Sequence, residues 1–220
     1  MGVNPNLYGG ENPLAHIKWP ELKLIQQPYR HYILMPKRIP IQWSVTGVVM
    51  GRSDTKHLTN WSARLAVEEY ESTGDAAKAK KAHEESLAWS NAFGSLVHDC
   101  IEANLTGDPY MPGDREYDKR LTPEDVKKAA KAVASALTWL HNSRLRVVQV
   151  ERKLAHSVTG PDGNVIWYAG TMDLLCVDRQ GRFWIVDWKT ASAIRTKNFV
   201  QEGGYAEALA ALGIPVSPGS

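Results

Sequence analysis

Residues 170–189 read GTMDLLCVDRQGRFWIVDWK, and the fold is decided by how this stretch pairs with itself. Side chains in a strand repeat every two residues, so Phe183, Ile185, Asp187 and Lys189 share one face, and Trp184, Val186 and Trp188 the other. Both faces are apolar up to Asp187, which predicts a central strand buried on two sides with its charges gathered at its carboxyl end. The turn sets the register. With Arg179, Gln180 and Gly181 as a three-residue loop and the glycine left-handed, Asp178 opposes Arg182 and Asp173 opposes Asp187. A two-residue loop at Gln180 and Gly181 would instead pair Asp173 with Trp188 and separate the acids onto opposite faces. The three-residue loop, or an equivalent bulge, is the expectation.

Facing carboxylates repel unless a cation lies between them, and hard oxygen ligands suit Mg2+ or Mn2+. Such a cation would lower the pKa of a bound water and stabilise charge growing on a phosphate, with Lys189 orienting that water or neutralising the transition state. Taken alone, D-x13-D-x-K reads equally as a hairpin with ordinary surface acids and a strand-end lysine.

Length and composition narrow the classes. The 220 residues suffice for a sizeable single core, and a net charge of +2 confines any nucleic-acid surface to a local patch. Cys100 and Cys176, both in apolar segments, form no C-x-x-C pair; a reducing cytoplasm is expected, and a four-cysteine iron–sulfur cluster is excluded. No signal peptide, membrane-spanning run or G-x-x-x-x-G-K phosphate loop is present, so neither a membrane nor a nucleotide cofactor is expected.

The first residues, rich in Asn, Pro and Gly, read as an irregular arm, with a short strand at Tyr32 to Met35. Val45, Val48 and Val49 suggest burial. In GRSDTK, Ser53 or Asp54 can cap a helix, and Arg52 with Lys56 can alternatively hold a phosphate. An amphipathic helix follows from Thr55 to about Ser72, carrying Leu58, Trp61, Leu65 and Ala66 on one stripe. Asp75 caps a second helix with a lysine-rich, solvated first half. From Phe93 to Leu105, Val97, Ile101 and Leu105 form an apolar ridge beside Gly94, His98 and Glu102. Thr122, Pro123, Glu124 and Asp125 start a structural helix. From Arg146 the period changes to two, with Glu151 on the face of Val147, Gln149 and Lys153; a surface charge on an edge strand explains Glu151 equally well. Last, NFVQEGGYAEALAAL reads as a helix in which Gln201 and Tyr205 lie one turn apart, although Gly203 and Gly204 each cost about 1 kcal/mol against Ala. Glycines there would let a nucleic-acid backbone or the sheet approach closely.

Four motifs therefore stand in order: G-x-x-x-H at Gly94 to His98, G-x-x-D at Gly170 to Asp173, D-W-K at Asp187 to Lys189 and Q-x-x-x-Y at Gln201 to Tyr205. The set resembles the RecB-like, phage-exonuclease branch of the PD-(D/E)XK nucleases over about residues 41–212, with SVT at Ser44 to Thr46 and W-S-A-R-L-A resembling the amino-terminal part of those phage proteins. The resemblance implies an α/β (α+β) restriction-endonuclease-like core: a mixed central sheet flanked by helices, in the order helix, three antiparallel strands, helix, strand. The expected organisation is an irregular arm over 1–40 and one nuclease domain over 41–220, with a helical part over 54–141 and the catalytic sheet and helix over 146–212. The resemblance also implies His98, Asp173 and Asp187 as metal ligands, Lys189 as the catalytic lysine, and Glu151 as the acid of the first core strand. Gln201 and Tyr205 would position the DNA end or the site's own residues, with Ser44 and Arg52 as further DNA contacts. The departures are the missing cysteine cluster and an ending, IPVSPGS, where a final strand would follow.

The implied activity is that of a Mg2+- or Mn2+-dependent DNA exonuclease leaving 5'-phosphates, in phage or bacterial recombination, repair or DNA processing. Its implied partners are DNA ends, single-stranded ones included, and a recombination protein. A structure-selective or restriction-like endonuclease is the second enzyme reading, and a non-catalytic DNA-binding or assembly module the third. Among the eight tryptophans, Trp184 and Trp188 are expected in the core opposite the catalytic face.

Overall fold

A computed structural model describes residues 12–25, 31–41, 43–47 and 56–217. The chain divides into two compact units, one of Met1–Arg52, Glu102–Pro109 and Thr138–Ser220, the other of Ser53–Ile101 and Tyr110–Leu137. The second unit is a compact body by itself, and the first gathers three separate stretches of chain.

The first unit holds two sheets. β1 (Leu22–Ile25), β2 (His31–Leu34) and β3 (Ile39–Ile41) form an antiparallel meander. An irregular arm with one short strand at Tyr32 to Met35 was expected here; that strand is β2, and β1 and β3, too short for their alternation to be read, become strands because Tyr32 pairs with both Leu24 and Ile41. The second sheet contains β4 (Trp43–Ser44), β5 (Arg146–Thr159), β6 (Val165–Val177) and β7 (Phe183–Val186). β6 is its spine: β5 lies antiparallel along one side, and β4, parallel, and β7, antiparallel, share the other. The sheet is therefore mixed. α4 (Thr196–Ala210) follows β7, and Val216 then makes a parallel bridge to Phe183. This is the expected order of three antiparallel strands, helix and strand, with the last strand reduced to one bridge. β7 differs from the central strand anticipated: it is four residues long and half-buried throughout, because only β6 pairs with its full length.

The core explains the sequence pattern. Leu154, Met172, Leu175, Tyr205 and Leu209 are all at most 2% exposed and belong to one cluster that joins β5, β6 and α4. Tyr32, Ile41 and Ala169 form another, which ties the meander to β6.

The β6–β7 hairpin confirms the three-residue loop. Gly181 has φ 79°, and Asp178 N–H donates to the Arg182 carbonyl at 3.0 Å. Asp178 holds the turn through its carboxylate, which accepts from the backbone of Gln180 and Arg182, the Arg182 Nε and the Trp184 indole. Desolvation alone would raise its pKa, but those hydrogen bonds, led by the Arg182 N–H, lower it from 3.8 to about 2. A depressed carboxylate pKa contributes stability that is complete above the unfolded value and lost as pH falls through the folded one. Denaturation profiles collected between pH 5 and about 2 should show stability falling across that window, and Asp178→Asn should flatten the fall.

The second unit is helical: α1 (Lys56–Thr73), α2 (Ala76–Thr106) up to Ile101 and α3 (Pro123–Ser143) up to Leu137. The two segments separated at Phe93 in the sequence reading are one 31-residue helix. Asp75 caps it, accepting from Ala77 N–H at 2.8 Å and Lys78 N–H at 3.2 Å. Thr122 caps α3 in a reciprocal box with Asp125.

The two glycines of α4 have different reasons. A Cβ on Gly204 would lie 3.2 Å from Val45, and the Gly204 carbonyl accepts from the Tyr168 hydroxyl, so the sheet side needs its smallness. Gly203 faces open space. In thermal melts Gly203→Ala should therefore stabilise the protein by about 0.5–1 kcal/mol, the ordinary helix preference for Ala.

Candidate metal centre

Register brings the acids together. The β6–β7 ladder ends at Leu174 opposite Val186, and continuing it by one residue sets Asp173 opposite Asp187. On the other edge, Val150 pairs with Leu174 and Arg152 with Met172, which sets Glu151 opposite the same Asp173. Three carboxyl-bearing residues thus cross β5, β6 and the end of β7 in one row. Glu151 and Asp173 can bring carboxylate oxygens within 4.8 Å of each other. The face assigned to Glu151 from simple alternation does not hold back to Val147, because the ladder shifts between Val147 and Gln149 and both Val147 and Val148 are buried. Glu151 itself has φ 46°, a left-handed conformation that costs a non-glycine residue about 1–3 kcal/mol.

Each acid is held differently. Asp173 is 9% exposed, and its Oδ2 accepts the Trp188 N–H at 2.7 Å, which ties the segment after β7 to β6. The Asp187 side chain is 3% exposed, with Oδ2 in an ion pair with Lys189 Nζ and Oδ1 buried without a hydrogen-bond donor among the described residues. A buried oxygen left without a donor costs about 1–3 kcal/mol, more when it is charged. A hard divalent cation removes that deficit. Two carboxylates converging beside a third with an orphaned oxygen therefore fit a hard divalent cation.

The Q-x-x-x-Y pair lies behind this row. Tyr205 is 2% exposed; its hydroxyl donates to the Thr171 carbonyl at 2.8 Å and accepts from Gln201 Nε2 at 3.1 Å. Burial raises its pKa, the Gln201 hydrogen bond opposes the rise, and the charges of Asp187 and Asp173 add to it, so the phenol stays protonated. Its bonds are spent on the site's own backbone, two residues before Asp173. Glu202, which the motif reading passed over, belongs to the same neighbourhood: burial raises its pKa, Asp187 raises it further and Lys189 lowers it. Its only sequence signal was adjacency to Gln201.

Of the other expected residues, His98 stands half-buried on α2, in the helical unit, one turn before Glu102. Ser44 caps the turn after β4, accepting the Gly47 N–H at 2.8 Å. Arg52, with Ser53, Asp54, Val48 and Val49, lies outside the described residues. Trp188 is half-buried and meets Trp139 edge-on at 5.7 Å, while Trp184 is half-buried with its indole on Asp178. Both cysteines are buried, neither is in a disulfide among the described residues, and among those residues no helix is long and apolar enough to cross a membrane.

The family model of the PD-(D/E)XK nuclease superfamily matches residues 69–217. No match to the chain is found among curated proteins or among solved structures. The family match covers α2, the three antiparallel strands with their row of acids, D-W-K, and α4. The chain belongs to the PD-(D/E)XK nuclease superfamily.

Proposed function

We propose that the protein is a divalent-metal-dependent deoxyribonuclease of the RecB-like branch that hydrolyses phosphodiester bonds from DNA ends. The observation that carries the reading is the buried, donor-less Asp187 Oδ1 beside the Glu151 and Asp173 carboxylates. We assign Glu151 and Asp173 as residues holding the cation, with Asp187 on the other side of Asp173, and take His98, from the G-x-x-x-H motif, as a further ligand. When bound, the cation supplies Lewis-acid stabilisation of the phosphate and acidifies water.

The chain's own residues do the rest. Lys189, whose side chain contacts Asp187 and is 26% exposed, would set an ammonium beside the scissile phosphate as it acquires charge. Gln201 and Tyr205 are positioning residues: they fix the Thr171 carbonyl and through it the segment bearing Asp173. One imidazole among carboxylates makes the set softer than an all-oxygen site, so Mn2+ should support activity at lower concentration than Mg2+, and His98→Ala should narrow that difference.

End-labelled linear DNA and closed-circular DNA, incubated side by side with Mg2+, with Mn2+ and with EDTA, test the proposal. Release of label from linear DNA only, abolished by EDTA, is expected. Efficient cutting of closed circles would replace the exonuclease with an endonuclease on the same site, and metal-independent cutting would remove the metal centre.

A further inference from the structure

α4 buries Tyr205, Ala208 and Leu209 as an amphipathic helix should, yet its first turns turn large apolar side chains outward. Ile194 is 68% exposed, Phe199 63% and Val200 54%. Arg195 and Lys197 are interleaved with them, both exposed, and among the described residues neither has a carboxylate partner. Two free cations alternating with exposed apolar side chains suit a polyanion that also offers flat apolar faces.

The position narrows the ligand. The segment leaves the site at Lys189, stays exposed through Thr190 to Lys197 and re-enters it at Gln201. Phe199, Glu202 and Gly203 are neighbours on one helix face by their three- and four-residue spacing. Gln201 is tied through the Tyr205 hydroxyl to the Thr171 carbonyl, two residues before Asp173, and Gly203 has open space where a side chain would stand. A surface therefore runs from the Gln201 end of the site across the bare Gly203 backbone to the Phe199 ring. Within a duplex the base faces are hidden in the stack except at the end pair, whereas successive bases of an unpaired strand can each present one.

We propose that Phe199, flanked by Ile194, Arg195 and Lys197, is a stacking platform for the unpaired bases of a single-stranded DNA end entering the site. The proposal rests on the nuclease reading and deepens it by naming the substrate class.

The test uses the full chain and a short single-stranded oligonucleotide carrying 2-aminopurine near its end, with Ca2+ replacing Mg2+ to prevent cutting. Binding to the wild type should quench the 2-aminopurine. Phe199→Ala should lose most of the quench and weaken binding about tenfold, Phe199→Trp should keep both, and a blunt duplex of the same sequence should not distinguish the three. Replacing Arg195 and Lys197 together by Ala should reduce the slope of log affinity against log salt by about 1.4, the value for two contacts on a single strand. Thermal melts establish that the variants are folded. Equal quench and affinity for wild type and Phe199→Ala would overturn the proposal and leave the patch to a protein partner. If the Phe199 effect is present but no DNA is cut in Mg2+ or Mn2+, the nuclease reading fails alone; if DNA is cut and the Phe199 effect is absent, the platform fails alone.

Discussion

Asp187→Asn should reduce single-turnover DNA cleavage in Mg2+ by about 10^2- to 10^3-fold, the scale of losing one electrostatic contact made at the reacting phosphate. The substitution keeps the size of a side chain that is 3% exposed, so the core is not opened. It removes the charge that would hold a cation opposite Asp173 and the partner that holds Lys189 Nζ in place. A second readout separates this from a folding defect. A metal that binds only the native state stabilises it by about 2.7 kcal/mol at a hundred times its Kd, so Mg2+ should raise the wild-type Tm. The variant should melt near the wild type without metal and show little of that rise. Unchanged cleavage would mean that the row of acids is not the active site, and an unchanged Mg2+ shift would mean that Asp187 is not involved in holding the cation.

The part of this site legible in the sequence was the part set by local rules. One glycine with the right loop length fixed the hairpin, and the hairpin fixed Asp173 opposite Asp187. Asp75 and Thr122 were readable as caps because a cap is a matter of neighbouring residues. What escaped depended on partners remote in the chain. β1 and β3, unlike the strand read at Tyr32 to Met35, are strands only because they pair with it, since three or four residues carry little alternation of their own. The shift at Val148 is invisible in a run of valines that suits either face, and it alters the side presented by every residue before it. Glu202 carried no motif, and its place beside Asp187 and Lys189 follows from how α4 returns to the sheet.

The glycine of G-x-x-D shows the same dependence, and its substitution should disturb both the fold and the site. Gly170 lies within β6 and has no positive φ, so no turn demands it. A Cβ there would stand 2.7 Å from Tyr205 Cε1, 3.0 Å from its hydroxyl and 3.1 Å from Val45 Cγ2. The tyrosine cannot yield cheaply, because its ring is buried and its hydroxyl is fixed by Thr171 and Gln201. Gly170→Ala should therefore destabilise the protein by about 1–3 kcal/mol, the usual cost of overpacking, and reduce activity by displacing Thr171 two residues before Asp173. Tyr205→Phe should not rescue it, since the closest clash is with the ring. Tyr205→Ala, which costs about 3–5 kcal/mol alone, frees the space the alanine needs, so the double variant should be more stable than the two single losses summed. Urea denaturation of the four proteins measures that coupling. Additive losses would mean that Gly170 and Tyr205 do not constrain each other, and the motifs G-x-x-D and Q-x-x-x-Y would lose their shared reason: one leaves the gap on β6 that the other fills from α4.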